Sequence, residues 1–154
     1  MIIRKATIYD YDSLKEIKLL SKKEELKYSG TLKSLSKSKR YFFEYLKFDL
    51  TKPDRVVFVA EEDGKVVGII LGKFFKPLRI SKYSKKGHIS NLYVDKSARR
   101  KKVGEKLVKE VIKWFKKKKV SYLSLEIHVD NLAAQKLYHK KGFKDYTIKV
   151  FKKV

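Results

Sequence analysis

The sequence predicts an α+β domain built on a mixed sheet, and three observations carry that prediction. Two β-rich runs, Arg55–Glu62 (RVVFVAEE) and Lys65–Phe75 (KVVGIILGKFF), flank Asp63-Gly64, a dipeptide that favours a tight hairpin. A strand–helix–strand unit long enough for a crossover between parallel strands spans residues 88–129. Two helical patterns lie between the first strand and the hairpin, and a last one follows the crossover, giving the order βαα-ββ-βαβα-β.

Taken in order, Ile2 to Thr7 reads as a short strand. Tyr11 to about Ser21 places Leu14, Ile17, Lys18 and Leu20 at roughly helical spacing, with Asp10 or Asp12 available as N-cap. SKKEELKYSGTL, residues 21–32, reads as loop or frayed helix, and residues 31–48 form a second helix carrying Tyr41, Phe42, Tyr45, Leu46 and Phe48. After the hairpin, Pro77 to Lys86 is a loop and His88–Asp95 (HISNLYVD) a strand. Lys102–Lys118 collects Val103, Leu107, Val108, Val111, Ile112 and Phe115 on one face, the pattern of an amphipathic helix. Tyr122–Val129 is a strand, and Asn131–Lys141 a short helix with Gly142 in the C′ position. Residues 143–154 supply one more strand, or two very short ones.

Composition narrows the function classes. The 154 residues carry 40 Lys+Arg against 17 Asp+Glu, a formal charge of +23, and 19 of the basic residues against 5 acidic ones fall in residues 96–154. Such a field attracts polyanions: nucleic acid, an acidic protein or a phosphorylated cofactor. A Lys-rich surface is also a plain compositional trait of proteins from hot environments. With 43% hydrophobic and 13% aromatic residues the chain is too apolar for a disordered basic tail. Its lack of cysteine excludes a disulfide scaffold, a thiolate metal site and a cysteine nucleophile. No run approaches the roughly 18 apolar residues of a membrane span, and no signal-peptide core opens the chain, so the expectation is one cytoplasmic domain over residues 1–154 with no membrane partner. His88, His128 and His139 show no i, i+4 pair, so no metal site is expected.

Three segments bear chemistry. SARRKKVGEKL is a basic turn between strand and helix, where free first-turn amides and a positive dipole end suit a phosphate; a solvated basic turn is the alternative. In YLSLEIHV, Leu123, Leu125, Ile127 and Val129 face one way and Tyr122, Ser124, Glu126 and His128 the other. A carboxylate such as Glu126 in mid-strand is costly unless exposed, paired or useful. In DNLAAQKLYHKKGF, Asn131, Ala134 and Tyr138 share one helix face, and an ordinary core tyrosine is the alternative.

Together these segments resemble the GNAT superfamily of acyl-CoA-dependent N-acetyltransferases. Leu92-Tyr93-Val94-Asp95 followed by Arg99-Arg100-Lys101-Lys102-Val103-Gly104 is similar to the family's L-x-V-D strand end and R-x-x-G-x-G turn, with Lys102 in place of the first glycine. Leu125, Glu126, Ile127, Asn131, Ala134, Leu137, Tyr138, Gly142 and Phe143 match the downstream pattern with one conservative exchange, Ile127 for valine. The resemblance implies a mostly antiparallel sheet splayed between its fourth and fifth strands and flanked by about four helices. It implies acetyl-CoA in that cleft as co-substrate, with no metal. Leu92, Tyr93 and Val94 would meet the pantetheine arm through their backbone, Arg99 to Gly104 would hold the pyrophosphate, and Asn131 would touch the arm. Tyr138 would protonate the departing thiolate, and Glu126 would be the base for direct attack by the amine, with His88 in reserve. A positive φ at Lys102 would strain the turn and weaken the cofactor site. Ser90 stands where many relatives carry an acid, and only eleven residues follow Phe143, which predicts a shortened last strand.

The acceptor reading leans to a protein or peptide amine, with small amines and polyamines second. The net charge disfavours polycations unless Glu24, Glu25, Glu44 and Asp49 form a local acidic pocket. Two further readings use the same fold: a non-catalytic acyl-CoA binder, and a nucleic-acid or ribosome-associated protein. An unpaired strand edge at the C-terminal end would invite a homodimer.

Overall fold

The computed structural model describes residues 1–28, 35–152 and 154; of these, residues 35–38 are described as backbone only. The predicted start of the second helix at 31–34 and part of the 21–32 loop lie outside the described residues.

Five strands form one sheet in the order β1-β2-β3-β4-β5: β1 Ile2–Lys5, β2 Arg55–Glu62, β3 Lys65–Phe75, β4 Lys86–Val94 and β5 Tyr122–Ser124. The first four are antiparallel neighbours, and β5 lies parallel to β4. The helices are α1 Tyr11–Glu25, α2 Leu35–Thr51, α3 Val103–Lys117 and α4 Leu132–Lys140. This is the mixed, mostly antiparallel α+β sheet expected from the sequence.

Local chemistry explains the meander. Asp63 and Gly64 take φ 51° and 74°, the left-handed pair that a two-residue turn between twisted strands requires. Strand β2 is apolar at successive positions because both faces of the sheet are covered. Val56, Ala60, Ile70 and Ile89 meet α3, while Val57, Val59, Ile69 and Leu71 meet Leu14, Ile17 and Leu46 of α1 and α2. Gly72 and Gly87 let α3 sit close. A Cβ on Gly72 would fall 2.6 Å from Val111 Cγ2, and one on Gly87 2.7 Å from Phe115 Cε1.

Several boundaries differ from the expectation. Helix α1 continues to Glu25, and its buried stripe is Leu14, Ile17, Lys18 and Ser21, whereas Leu20 is exposed. In α2, Leu46 is buried, while Tyr41, Tyr45 and Phe48 stay exposed. The fifth strand covers three residues rather than eight, and residues 143–152 and 154 form no strand. Both corrections share one cause. A strand is defined by its ladder, and residues 125–129 have no ladder partner on either side among the described residues. Among the described residues no helix is long and apolar enough to cross a membrane.

Candidate active site

The cleft arises where β4 and β5 part company. Three rungs join them, Lys86↔Tyr122, Gly87↔Leu123 and His88↔Ser124, and none follows. Strand β4 turns away at a bulge: the register with β3 shifts between Ile69 and Leu71, and Asn91 takes φ 55°. Leu92 and Val94 then pack on the α3 side, while Tyr93, 8% exposed, packs on the α1 side. Of these three predicted residues, Tyr93 can therefore face a ligand in the cleft only through its backbone.

The turn after β4 is held by its own side chains. Asp95 accepts from Ser97 N at 2.9 Å and Ser97 Oγ at 2.6 Å, and these bonds hold its carboxyl below the usual range. Arg99 donates to the Val94 carbonyl at 3.0 Å and pairs with Glu24, so it ties the turn to α1. Lys101 pairs with Glu62 at 2.9 Å. Arg100 and Lys102 make no ion pair among the described residues. The amides of Val103, Gly104 and Glu105 open α3 and have no intrahelical acceptor. A Cβ on Gly104 would stand in ordinary contact with Leu137 Cδ2 at 3.5 Å, so a side-chain carbon fits there without a clash. This cradle of free amides at a positive helix end fits a pyrophosphate.

Lys102 takes φ 59° and Arg100 φ 65°. The family's glycine position is thus left-handed here, and a lysine occupies it at a backbone cost of about 1–2 kcal/mol. Lys102→Gly removes that cost and adds glycine's chain-entropy penalty, so stability should rise by about 0.5–1 kcal/mol. Urea unfolding measures it, and a fall in midpoint would show that the Lys102 side chain contributes more than its backbone costs.

On the second side of the cleft, Asn131 is the N-cap of α4, its side-chain Oδ1 accepting from Ala134 N at 3.1 Å. That bond commits one end of the side chain. Tyr138 is 5% exposed, stands edge-on to Phe143 with centroids 5.4 Å apart, and makes no side-chain hydrogen bond among the described residues. Burial pushes its phenol well above the ordinary range, so the proton stays on oxygen at any working pH. Glu105 locks α3 to α4 by meeting Lys140 at 2.9 Å and Lys141 at 3.0 Å, which lowers its carboxyl to about 2.

The opposite face of β4 and β5 carries His88 and Glu126, the two bases expected from the sequence. His88 is half-buried, with Nδ1 3.4 Å from Ser124 Oγ; burial and then Lys73 push its imidazole below the ordinary value, while Glu126 pulls it up. The imidazole is therefore neutral at pH 7. Glu126 lies beyond the end of β5, its side chain 78% exposed and 3.7 Å from Lys149. His128 stacks near Tyr28 at 5.6 Å. The predicted alternation of YLSLEIHV holds for packing: Leu123, Leu125 and Ile127 meet the α3-side core, although Val129 is exposed.

The four acids that could have formed an acceptor pocket are each engaged by a cation. Glu24 pairs with Arg99, Glu25 with Lys22, Glu44 with Arg40 at 3.0 Å and Asp49 with Arg55 at 2.6 Å. Lys18, Asp49 and Arg55 form a buried charged cluster that the sequence reading did not single out. The signal was present, since Lys18 falls on the apolar stripe of α1. Among the described residues no group of three His, Asp or Glu could hold a metal ion.

Residues 21–143 match the acetyltransferase (GNAT) family. The chain belongs to that family. An N-alpha-acetyltransferase of Sulfurisphaera tokodaii is 32% identical over 152 residues, covering 95% of this chain and 81% of the relative. Two solved structures share the fold. A Clostridium acetobutylicum protein described as a predicted acetyltransferase with acetyl-CoA superposes with TM-score 0.78 at 19% identity, over 99% of this chain and 95% of that one. An aminoglycoside antibiotic 6'-N-acetyltransferase of Acinetobacter haemolyticus superposes with TM-score 0.74 at 15% identity, over 100% and 99%. The GNAT chain described here is accordingly an acetyl-CoA-dependent N-acetyltransferase.

Proposed function

We propose that this N-acetyltransferase acts on the α-amino group of a protein or peptide. The observation that carries the choice is the pairing of Glu24, Glu25, Glu44 and Asp49 with cations, beside the positive charges of Lys18 and Lys73. With these four acids already held by cations, the surface offers less to attract a polyamine or aminoglycoside, and it tolerates a single amine followed by neutral or acidic residues. Proton cost points the same way. An α-amine near pKa 8 is deprotonated at pH 7 for about 1 kcal/mol, and a lysine side chain for about 4–5 kcal/mol.

Bound acetyl-CoA supplies the thioester that the amine attacks: a C–N bond forms, the C–S bond breaks, and the thiolate leaves. The splayed backbone of Leu92, Tyr93 and Val94 offers amides and carbonyls to an extended arm. The turn from Arg99 through Arg100, Lys101, Lys102 and Val103 to Gly104 receives the pyrophosphate on its amides. Asn131, fixed as an N-cap, borders the arm. Tyr138 donates its phenolic proton to the leaving sulfur. Glu126 takes the proton from the amine, directly or through neutral His88, which lies close enough to feel the Glu126 charge.

A peptide with a free N-terminus should be acetylated at least 100-fold more efficiently than the same peptide blocked at its N-terminus and carrying one lysine. Higher kcat/KM for spermidine or kanamycin would overturn the reading. If His88 relays the proton, the acid limb of kcat/KM lies below pH 6.5. Glu126→Gln should move that limb to still lower pH, because the carboxylate raises the imidazole. An unmoved limb would separate the two residues.

A further inference from the structure

Over much of this surface lysines are met by acids. Lys101 pairs with Glu62, Lys140 and Lys141 with Glu105, and Lys22 with Glu25. One end of the molecule departs from that pattern. The loop before β4 carries Lys76, Arg79, Lys82 and Lys85, and β4 opens on Lys86. The end of α3 and the residues after it add Lys116 to Lys119. Residues 76–86 and 116–119 contain no acid, and these nine cations make no ion pair among the described residues.

The two segments form one surface. Lys85 Nζ donates to the Lys118 carbonyl at 3.0 Å, and Lys86 faces Tyr122 on the first rung of β4 and β5. A helix C-terminus attracts lysine through a dipole charge of about half a proton, which nine like charges far exceed. A lysine-rich surface adapted to heat mixes both signs in ion-pair networks, and this end does not. Its cations repel one another until a polyanion arrives.

Aromatic rings lie inside the patch. Tyr83 stacks on Tyr122 with centroids 4.8 Å apart and planes 21° from parallel. Lys82 Nζ stands over the Tyr83 ring at 5.3 Å, and Lys86 Nζ over the Tyr122 ring at 5.7 Å. Flat rings bordered by cations on long stems suit an unpaired base and its phosphates: the base stacks while the lysines follow the backbone. A duplex hides its base faces, so the rings favour a single strand. Single-stranded loops and ends are the form in which RNA offers its bases to proteins.

We infer that this end of the protein binds single-stranded RNA, with a base stacked on Tyr83 and phosphates held by the lysines of residues 76–86 and 116–119. The surface is separate from the cofactor cradle. That cradle opens at the N-terminus of α3, and Lys117 closes the helix at its other end, about 21 Å away at about 1.5 Å per residue. The inference is also independent of which amine the enzyme acetylates.

A fluorescently labelled oligouridine of about 12 nucleotides tests it by anisotropy, over a salt series with saturating acetyl-CoA present. Binding should persist with the cofactor in place. Tyr83→Ala should weaken it at least about five-fold with the salt slope unchanged, while Tyr83→Phe, which keeps the ring, should bind as the natural chain does. Lys82→Gln combined with Lys117→Gln should lower the slope by about 1.4, since each single-strand phosphate contact contributes about 0.7. The lysine pair carries the test on its own if Tyr83→Ala does not fold. Displacement of the RNA by acetyl-CoA would put it on the cradle and overturn the inference. Equal affinity for a duplex of the same length, or tighter binding of the matching DNA strand, would overturn it too. So would tighter binding to anionic phospholipid vesicles, which would hand the patch to a membrane through Leu78 and Ile80, 77% and 93% exposed in the same loop.

Discussion

Tyr138→Phe should lower kcat by about 100-fold or more while leaving acetyl-CoA affinity within a few-fold, as the loss of a positioned general acid does. The substitution is structurally mild. The ring keeps its edge-on contact with Phe143, and the hydroxyl it loses has no hydrogen-bond partner among the described residues. Thermal stability should therefore hold, because no hydrogen bond among the described residues is lost. That combination separates chemistry from packing. A residue that only fills space would change stability and both kinetic constants together. Single-turnover measurements at saturating acetyl-CoA, alongside calorimetric binding, give the two readouts, and equal loss in both would assign Tyr138 to the core alone.

Lys18→Met should stabilise the fold by about 2–3 kcal/mol at pH 7. Lys18 is 4% exposed on the inner stripe of α1, and burial pushes its ammonium down to about 8 against the opposing pull of Asp49. At pH 7 the group is still charged, so the folded state carries most of that penalty. Between about pH 8 and the unfolded value near 10.5 the unfolded chain holds the proton and the folded chain does not. The unfolded state then binds more protons, and stability rises with pH across this window. The methionine variant should start higher at pH 7 and lose the rise. Urea unfolding at pH 7 and pH 9.5 measures both, and identical slopes in the two proteins would show that Lys18 reaches water. Asp49 keeps its 2.6 Å bond to Arg55 in the variant, so the carboxylate is not orphaned.

What a sequence discloses depends on how local the cause is. Asp63-Gly64 announced its hairpin because two consecutive left-handed residues are a property of the dipeptide itself. Helix α3 was legible because Val103, Leu107, Val108, Val111 and Phe115 repeat with the helix and are all buried. Strand β5 was overdrawn for the opposite reason. Alternation says what a strand would present, and the ladder depends on a neighbour that alternation cannot supply. The conformation of Lys102 was equally out of reach, since the path from Val94 to α3 decides whether that φ is positive. Glu126 and His88 are 38 residues apart in sequence, and only the three rungs joining β4 to β5 bring their faces together. The acids of α1 and α2 looked available as a pocket because Arg40, Arg55 and Arg99 pair with them through helix turns and tertiary contacts rather than through adjacent positions.

The order of strands in the sheet, β1 through β5 without a skip, bears on how the molecule is made. Each strand is laid beside the one just synthesised, so every pairing is available as soon as its second partner leaves the ribosome. Loop-closure cost stays small through the hairpin β2–β3, and the only crossover is the one that α3 spans. The growing chain can thus bury one face of its first four strands against α1 and α2 before α3, β5 and α4 exist, and the far wall of the cleft is added last, onto a sheet that is already in place.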